Sequence, residues 1–290
     1  MKKIAVILSF ALTLLISFPS GVFAATKKFR AAQTWEQGYI EGWALDRINQ
    51  KSIKLDGRSL VNSGAGSGIT VYVIDTGVGE EDCNGHGTVV SSMISGDDYG
   101  VASGAEIVSV KALDCNGFGT QADVVNAVNW VKANATPENS VVNMSLGGAP
   151  NAAVDAAVAS LSAMMPVVVA AGNSSTSACN LSPARVPSAI TIAAYDQYNL
   201  RSIFSNYGPC VDLWVPGTAI DGVDKNGNRV QWSGTSMATA LASGSIAYVA
   251  DKYDISTKAA AEKIRLESSR PYLVDARLGR NAAYAIWIRD

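Results

Sequence analysis

The stretch Ile69-Thr70-Val71-Tyr72-Val73-Ile74-Asp75 decides the fold class of this 290-residue chain. Its β-branched and aromatic residues run on without polar alternation, which is typical of a parallel strand buried on both faces. Asp75 stands where this strand is predicted to end. The stretch therefore predicts a buried parallel strand that brings an acidic side chain to one edge of a sheet.

Short apolar runs alternate with segments of helical spacing through the rest of the chain. Further strands are predicted over 105–113, 140–146, 166–171, 189–194 and 211–215, and helices over 89–94, 121–133, 152–164, 237–250 and 257–266. This alternation predicts an α/β fold, a mostly parallel sheet with helices on both faces. In such sheets functional residues gather beyond the carboxyl ends of the strands, so Asp75, Gly147 and Asn173 are expected at one edge.

Composition is that of an ordinary globular protein, with 48% hydrophobic and 17% charged residues. A chain of this length can bury about three quarters of its unfolded surface. The net charge of −2 and the pI near 5.5 give no general attraction for nucleic acid or for an anionic membrane surface. Neither nucleic acid nor a membrane is therefore expected as a partner of the mature protein.

The first residues read as a targeting segment. Lys2 and Lys3 precede an apolar run over 4–18, and Val22-Phe23-Ala24 follows a Pro-Ser-Gly turn. This pattern predicts a signal peptide over 1–24 that is removed after Ala24. A retained membrane anchor is the alternative, but about fifteen apolar residues are short for a span. The mature protein is expected outside the cell, or in a periplasm if the source has an outer membrane.

Four cysteines occur in the chain, at positions 83, 115, 179 and 210. An even number in an oxidising compartment favours disulfides, and the sequence alone leaves all three pairings open. No Cys-x-x-Cys motif occurs, and a single histidine cannot build a His-rich zinc site. Cys83 lies three residues before His86 and could be a thiol nucleophile, but the oxidising destination and the presence of Ser236 argue against this.

His86 is the only histidine of the chain and hence the only side chain that ordinarily exchanges a proton near neutral pH. Asp75 precedes it and Ser236 follows it far downstream. Acid, base and hydroxyl in this order form one of the convergent arrangements for nucleophilic hydrolysis. Each residue alone has a plainer interpretation, as a strand-end acid, a structural histidine or a helix-capping serine.

Three motifs together favour the catalytic interpretation. Val-Ile-Asp-Thr-Gly around Asp75, Gly-His-Gly-Thr around His86 and Gly-Thr-Ser-Met-Ala-Thr around Ser236 resemble the signatures of the subtilisin-like serine proteases. The resemblance begins at Trp43, covers nearly all the chain beyond the leader, and is nearest to the secreted, bacterial proteinase K-like branch. It implies a single-domain, three-layer fold over 25–290 and a monomeric endopeptidase that cleaves polypeptides.

The resemblance also implies roles for individual residues. Ser236 would attack the peptide carbonyl, His86 would transfer its proton, and Asp75 would orient the imidazole. Asn173 would donate to the developing oxyanion. Extended substrate would lie between Gly117-Phe118-Gly119 and Ser145-Leu146-Gly147. The small residues Ala170, Ala171 and Gly172 would leave an open pocket, which predicts preference for aromatic or large aliphatic residues before the cut.

Two structural features follow from the same resemblance. Cys83 would pair with Cys115 and Cys179 with Cys210. The carbonyls of Pro187 and Ala189 and the carboxylate of Asp212 would hold a structural calcium ion, whose preferred ligands are oxygens of this kind. The alternative for Asp212 is an ordinary strand-end acid. No cofactor is expected for catalysis itself.

Several departures from the family pattern limit these expectations. The connection from Asp75 to His86 is much shorter than usual, which predicts that a surface loop and an edge strand are missing. Val89 replaces a second histidine, and Ala240-Leu241 replaces Pro-His after Ser236. The early start of family-like sequence leaves no room for a folding prodomain.

These departures support a second hypothesis, an inactive subtilisin-like fold retained as a peptide-binding or scaffold protein. Against it stands the presence of Asp75, His86, Asn173 and Ser236 together. An esterase of the α/β-hydrolase type would need serine before histidine and a Gly-x-Ser-x-Gly elbow, and neither occurs.

Overall fold

Apolar runs form the strands of the sheet in the computed structural model of this chain, which describes residues 42–50, 54–58, 64–268 and 288. The strands are β1 (Thr70–Asp75), β2 (Glu106–Lys111), β3 (Ser140–Met144), β4 (Val167–Ala170), β5 (Ile190–Tyr195), β6 (Leu213–Pro216), β7 (Ile220–Val223) and β8 (Arg229–Trp232). The predicted leader over 1–24, and the segment as far as residue 41, lie outside the described residues.

Six strands form one parallel sheet in the order β2-β1-β3-β4-β5-β6. The strand β1 pairs with both β2 and β3, so the carboxyl ends of β1, β3 and β4 are neighbours at one edge. Successive residues of each strand face opposite sides, and both sides are buried. Val71 and Val73 enter one core, whereas Tyr72 and Ile74 enter the other.

Helices cover both faces of this sheet, as the sequence predicts. The helices are α1 (Trp43–Ile48), α2 (His86–Ser95), α3 (Gln121–Asn134), α4 (Ala152–Ser162), α5 (Thr235–Tyr253) and α6 (Thr257–Glu267). Helices α3 and α4 pack on one face, and α2, α5 and α6 belong to the core of the other. The predicted three-layer α/β fold is confirmed.

Helix α5 lies in the middle of the larger core. Its residues 235–250 are all buried, so it is apolar or small on every side rather than amphipathic. It contacts β3, β4, β5 and β6 on one side and α2 and α6 on the others. The start of α5 is therefore held at a fixed position over the carboxyl edge of the sheet.

The connection from Asp75 to His86 contains only a three-residue 3-10 turn, Gly79–Glu81. This agrees with the prediction that a loop and an edge strand are missing there. Helix α2 begins at His86, three residues before the predicted start, so the histidine lies in its first turn. No helix in the described part of the chain has the length and apolar character needed to cross a bilayer.

Two elements were not predicted from the sequence. The antiparallel hairpin of β7 and β8 has strands of four residues each, one interrupted by Asp221 and Gly222 and the other half exposed. Helix α1 has six residues, all buried, which is too short for a periodic pattern to identify.

Candidate active site

Asp75 is the last residue of β1, and its side chain is completely buried. Its Oδ1 accepts a hydrogen bond from the backbone N–H of Thr76 at 2.7 Å and lies 2.7 Å from Nδ1 of His86. Its Oδ2 is buried without a hydrogen-bond donor among the described residues. A buried carboxylate is strongly driven to find a partner, and the imidazole is the titratable partner that it contacts.

His86 is the first residue of α2, after Gly85, and its side chain is 22% exposed. Because the carboxylate of Asp75 can only accept, the proton belongs on Nδ1 and leaves Nε2 free to accept another. Burial by itself lowers the pKa of His86, but the charges of Asp75 and Asp82 and the hydrogen bond that Nδ1 donates to Asp75 outweigh it and raise the pKa above its usual value.

Close packing holds the first turn of α2 against the end of β1. A Cβ atom at Gly87 would collide with the carbonyl oxygen of Gly77 and would lie 3.1 Å from Cβ of Asp75. Only glycine therefore allows the backbone after His86 to come this close. The short distance between imidazole and carboxylate depends on that approach.

Ser236 is the second residue of α5, and 8% of its surface is exposed. Its hydroxyl donates to the carbonyl of Ser145 at 3.1 Å, and the hydroxyl of Ser145 donates to the carbonyl of Ser236 at 3.0 Å. Within the described residues no hydrogen bond joins Ser236 to His86. Ser145 and His86 both line one cleft, and Ser236 adjoins it through its contact with Ser145.

Asn173 lies just beyond β4 and contacts the residue that precedes Ser236. The backbone N–H and the hydroxyl of Thr235 both donate to Oδ1 of Asn173 at 2.9 Å. A backbone N–H can only donate, so the atom facing it must be the amide oxygen. The Nδ2 group is consequently the free donor of this side chain, near Gly234 and the start of α5.

A cleft of about 630 Å³ runs beside His86. Six residues predicted to bind substrate line it, namely Gly117, Phe118, Gly119, Ser145, Leu146 and Gly147. Ala170, Ala171 and Gly172 do not. Ala170 and Ala171 are buried at the end of β4, and a Cβ at Gly172 would lie 2.5 Å from Nδ2 of Asn206. Their predicted role in a substrate pocket therefore stays a prediction.

Both disulfides that the resemblance implies are present, Cys83–Cys115 and Cys179–Cys210. The first joins the segment before His86 to the edge of the cleft that carries Phe118. Next to this bridge, the side-chain amide of Asn84 donates to the carbonyl of Cys115 at 3.0 Å. The thiol-nucleophile interpretation of Cys83 is excluded, because its sulfur is bonded to another.

The three residues predicted to bind calcium line one cavity of about 650 Å³, together with Arg265. Thr191 donates its N–H to Oδ2 of Asp212 at 2.8 Å, and no donor among the described residues reaches Oδ1. Burial raises the pKa of Asp212, whereas the Thr191 hydrogen bond and the charge of Arg265 lower it. A half-buried carboxylate with one oxygen free of donors among the described residues, in a cavity that Pro187 and Ala189 also line, suits the oxygen preference of calcium.

Three residues of this site were missed in the sequence. Thr235 orients Asn173, and Asn206 binds the loop that carries Asn173, since its Oδ1 accepts from the backbone of Ser174 and Thr176 at 3.0 Å. No local pattern indicates contacts across 30 or 62 positions. Asp82 could have been found, because an acid shortly before a helix start is a known capping signal.

The chain is similar in sequence to known proteins. Residues 70–283 match the sequence profile of the Subtilase family. The chain is 38% identical over 257 residues to an extracellular serine proteinase of Thermus sp. strain Rt41A, covering 80% of this chain and 62% of that protein. It is 39% identical over 259 residues to alkaline serine exoprotease A of Vibrio alginolyticus, covering 81% and 48%.

The fold is also similar to that of a solved structure. The crystal structure of a cold-adapted subtilisin-like serine proteinase superposes with a TM-score of 0.79 at 38% identity, covering 86% of this chain and 99% of that one. The chain spans about half to three fifths of the length of the two curated relatives.

Proposed function

The chain belongs to the subtilase family, and we propose that it is a serine endopeptidase whose triad is Asp75, His86 and Ser236. The observation that carries the proposal is the 2.7 Å contact between Nδ1 of His86 and Oδ1 of the buried Asp75. It fixes the tautomer in which Nε2 can remove a proton from a hydroxyl. The extracellular relatives and the two disulfides support an exported protein that acts on polypeptides.

In the proposed reaction Ser236 Oγ attacks the carbonyl carbon of the substrate as its proton passes to Nε2 of His86. The tetrahedral intermediate collapses to an acyl-enzyme when the imidazolium gives that proton to the leaving amine. Water then repeats both transfers and releases the acid. Asp75 keeps its negative charge throughout and stabilises the imidazolium.

Asn173 is proposed to bind the oxyanion through Nδ2. The support is that both hydrogen-bond donors of Thr235 hold Oδ1, so the amide is preorganised and its N–H groups need no reorientation. The backbone N–H of Ser236 is a further donor, because among the described residues it has no partner, whereas the N–H groups of Thr235 and Met237 bond to Asn173 and Gly234.

Ser236 must be released from the carbonyl of Ser145 before it can react. The proposed mechanism requires that hydrogen bond to be exchanged for one to His86, and catalytic hydrogen bonds commonly tighten only when substrate is bound. An extended peptide lying along the Ser145–Gly147 edge would compete for the backbone groups there. Substrate binding is therefore proposed to complete the Ser236–His86 pair.

Substrate preference is proposed to follow the apolar lining of the cleft. The side chains of Leu113, Val124, Leu146 and Val154 face it, and Phe118 is 74% exposed at its edge. Aromatic or large aliphatic residues before the cut would bury the most apolar surface there. Comparing otherwise identical peptides with Phe or Lys at that position tests this, and equal cleavage would refute it.

A second function, peptide binding without cleavage, is favoured by one observation. The hydroxyl of Ser236 is bonded to Ser145 rather than to His86. Labelling with a fluorophosphonate separates the two functions, because this probe reacts only with an activated serine. We expect covalent labelling of the full chain, lost in Ser236→Ala and His86→Ala. Ser245→Ala is the matched control, since Ser245 is buried in the same helix and donates to Leu241. A folded chain that fails to react would support the binding protein.

We propose in addition that calcium binds at Asp212 with the carbonyls of Pro187 and Ala189. The free Oδ1 of Asp212 and the cavity that it shares with Pro187 and Ala189 support this. The ion would neutralise the half-buried carboxylate and join the start of β5 to that of β6. No step of the reaction depends on it.

A further inference from the structure

Asp82 is a completely buried carboxylate that the mechanism above does not use. It lies in the short connection between Asp75 and His86, and five hydrogen-bond donors converge on it. Its Oδ1 accepts from Thr76 Oγ1 at 2.8 Å, Asn84 N at 3.1 Å and Gly85 N at 2.7 Å, and its Oδ2 accepts from Thr88 N at 2.8 Å and Thr88 Oγ1 at 2.7 Å. All four lone-pair positions of the carboxylate are therefore engaged.

The donors belong to both motifs that carry the acid–base pair. Thr76 directly follows Asp75, and Thr88 follows His86 by two residues. The hydroxyl of Thr76 also accepts from the backbone N–H of Gly87 at 2.9 Å. One carboxylate thus connects the residue after the acid, the turn before the base and the helix turn that contains the base.

The charge of Asp82 lies at the start of α2, where Gly85 provides no side-chain cap. A negative group at a helix N-terminus is stabilised by the free N–H groups there. Burial alone raises the pKa of Asp82, but the hydrogen bonds from Gly85, Thr88 and Thr76 hold it below its usual value. The group is consequently an anion at neutral pH.

We propose that Asp82 is a positioning residue for catalysis, which holds His86 against Asp75 through Thr76, Thr88 and the backbone of 84–85. The inference rests on the proposed function, because the base that it positions is the base of that mechanism. The connection has ten residues between Asp75 and His86, and this carboxylate joins its two ends. The bridge from the adjacent Cys83 to Cys115 fixes the outer side of the same segment.

A merely structural group would affect stability alone, whereas Asp82 also acts on the imidazole by its charge. The groups around His86 are few. Asp75 faces it from β1, Asp82 from the connection and the uncharged ring of Trp232 from β8, at 6.0 Å between centroids. Lys111 of β2 reaches the connection itself, where it donates to the carbonyl of Thr76. We therefore expect removal of the Asp82 charge to lower the pKa of His86.

The lone histidine makes this effect directly measurable. Its ring resonances can be titrated by NMR without assignment, in a Ser236→Ala background that prevents self-cleavage. We expect a lower His86 pKa in Asp82→Asn than in the parent. Asp224→Asn is the matched control, because Asp224 also accepts from its own loop, at 2.8 Å and 2.9 Å, but lies on the β7–β8 turn. An unchanged pKa in folded Asp82→Asn would overturn the proposal, whether or not the protein is a protease.

Kinetics on a peptide substrate supply the second readout. With Ser236 restored, Asp82→Asn should lower kcat about tenfold to a hundredfold, the range for a displaced catalytic group, with little change in KM. The acidic limb of its kcat/KM profile should move to lower pH.

Thr88→Val keeps the proposal testable if Asp82→Asn does not fold. It removes one of the five donors and keeps the charge, so kcat should fall about threefold to tenfold with the acidic limb in place. Thr88→Ser, which keeps a hydroxyl, should restore kcat. Full activity in Thr88→Val would show that the hydrogen bond from Thr88 Oγ1 to Asp82 does not position His86.

Discussion

The two halves of the proposed active site are built in different ways. The acid–base half, Asp75, Asp82 and His86, comes from one segment of twelve residues and is held by carboxylates that accept several donors. The nucleophile half, Ser145, Asn173 and Thr235-Ser236, brings together three distant segments through uncharged groups. The first half is local and charged, whereas the second depends on the whole sheet to align β3, β4 and α5.

This difference predicts how each half responds to change. In the acid–base half, removal of a charge should lower kcat strongly, by a factor that depends on pH. Uncharged groups positioned by distant strands should give losses in kcat that vary little with pH. The substitutions below test that division, from the largest expected effect to the smallest.

The largest effect is expected for Asp75→Asn. The new side-chain amide can donate to Nδ1 of His86. This favours the tautomer with the proton on Nε2, which cannot accept a proton from Ser236. We expect kcat to fall by about 10⁴-fold at neutral pH, the size known for this change in a serine-protease triad. Steady-state hydrolysis of a peptide ester or anilide measures it, with Asp224→Asn as the control. A loss below tenfold would show that His86 does not depend on Asp75.

Asn173→Ala should have the second largest effect. Loss of the Nδ2 donor should lower kcat by about 10²- to 10³-fold, the range known for this kind of donor in subtilisin, with KM nearly unchanged. Thr235→Val keeps the N–H contact to Asn173 but removes the hydroxyl, so a smaller loss of about tenfold is expected. The ratio to wild type should be constant from pH 6 to 9. A pH-dependent ratio would contradict the proposed separation of the two halves.

Sequence reasoning succeeded where the structure is local. The unbroken apolar runs of β1, β3 and β4 predicted the buried parallel strands, and the position of Asp75 at a strand end predicted the edge on which it lies. The strands β7 and β8 were missed, because Asp221 and Gly222 interrupt one of them and the other is half exposed.

The contacts within the nucleophile half were not predictable, although the sequence itself indicated Ser236 by the Asp-His-Ser order and Asn173 by its place beyond a strand. The contact between Asn173 and Thr235 spans 62 positions and has no local signature. The packing of Gly172 against Asn206 has the same limitation, because no pattern around residue 172 reveals a neighbour so distant in sequence.

The two disulfides allow stability and catalysis to be compared, because only one of them adjoins the acid–base half. Cys83–Cys115 and Cys179–Cys210 close loops of nearly equal length, 32 and 31 positions, so the chain-entropy model assigns each about 3–4 kcal/mol. We expect Cys83→Ser/Cys115→Ser and Cys179→Ser/Cys210→Ser to lose similar stability in denaturant unfolding. Only the first should also lower kcat, since that bridge adjoins Asp82 and the His86 segment. Equal effects of both double variants on kcat would contradict this.

Calcium removal should have the smallest effect on catalysis. The proposed ion at Asp212 belongs to neither half, so a chelator should lower Tm while leaving the kcat of the folded enzyme unchanged. At a calcium concentration one hundred times Kd the ion would add about 2.7 kcal/mol to the free energy of unfolding.

The control is Asp212→Asn, which should have the same Tm with calcium and with chelator, whereas Asp224→Asn should keep the wild-type difference. If the Tm of the wild-type chain is the same with calcium and with chelator, the calcium site is refuted.

The most direct test of the proposed mechanism is the crystal structure of the full chain bound to a peptide boronic acid, which bonds to an activated serine. We predict a bond from boron to Ser236 Oγ, with the hydroxyl oxygen turned away from Ser145 and one boronate oxygen about 2.7–3.1 Å from Nδ2 of Asn173. Nε2 of His86 should lie within hydrogen-bonding distance of the boronate. A peptide lying unbonded in the cleft, with Ser236 still donating to the Ser145 carbonyl, would contradict the account and identify a binding protein instead.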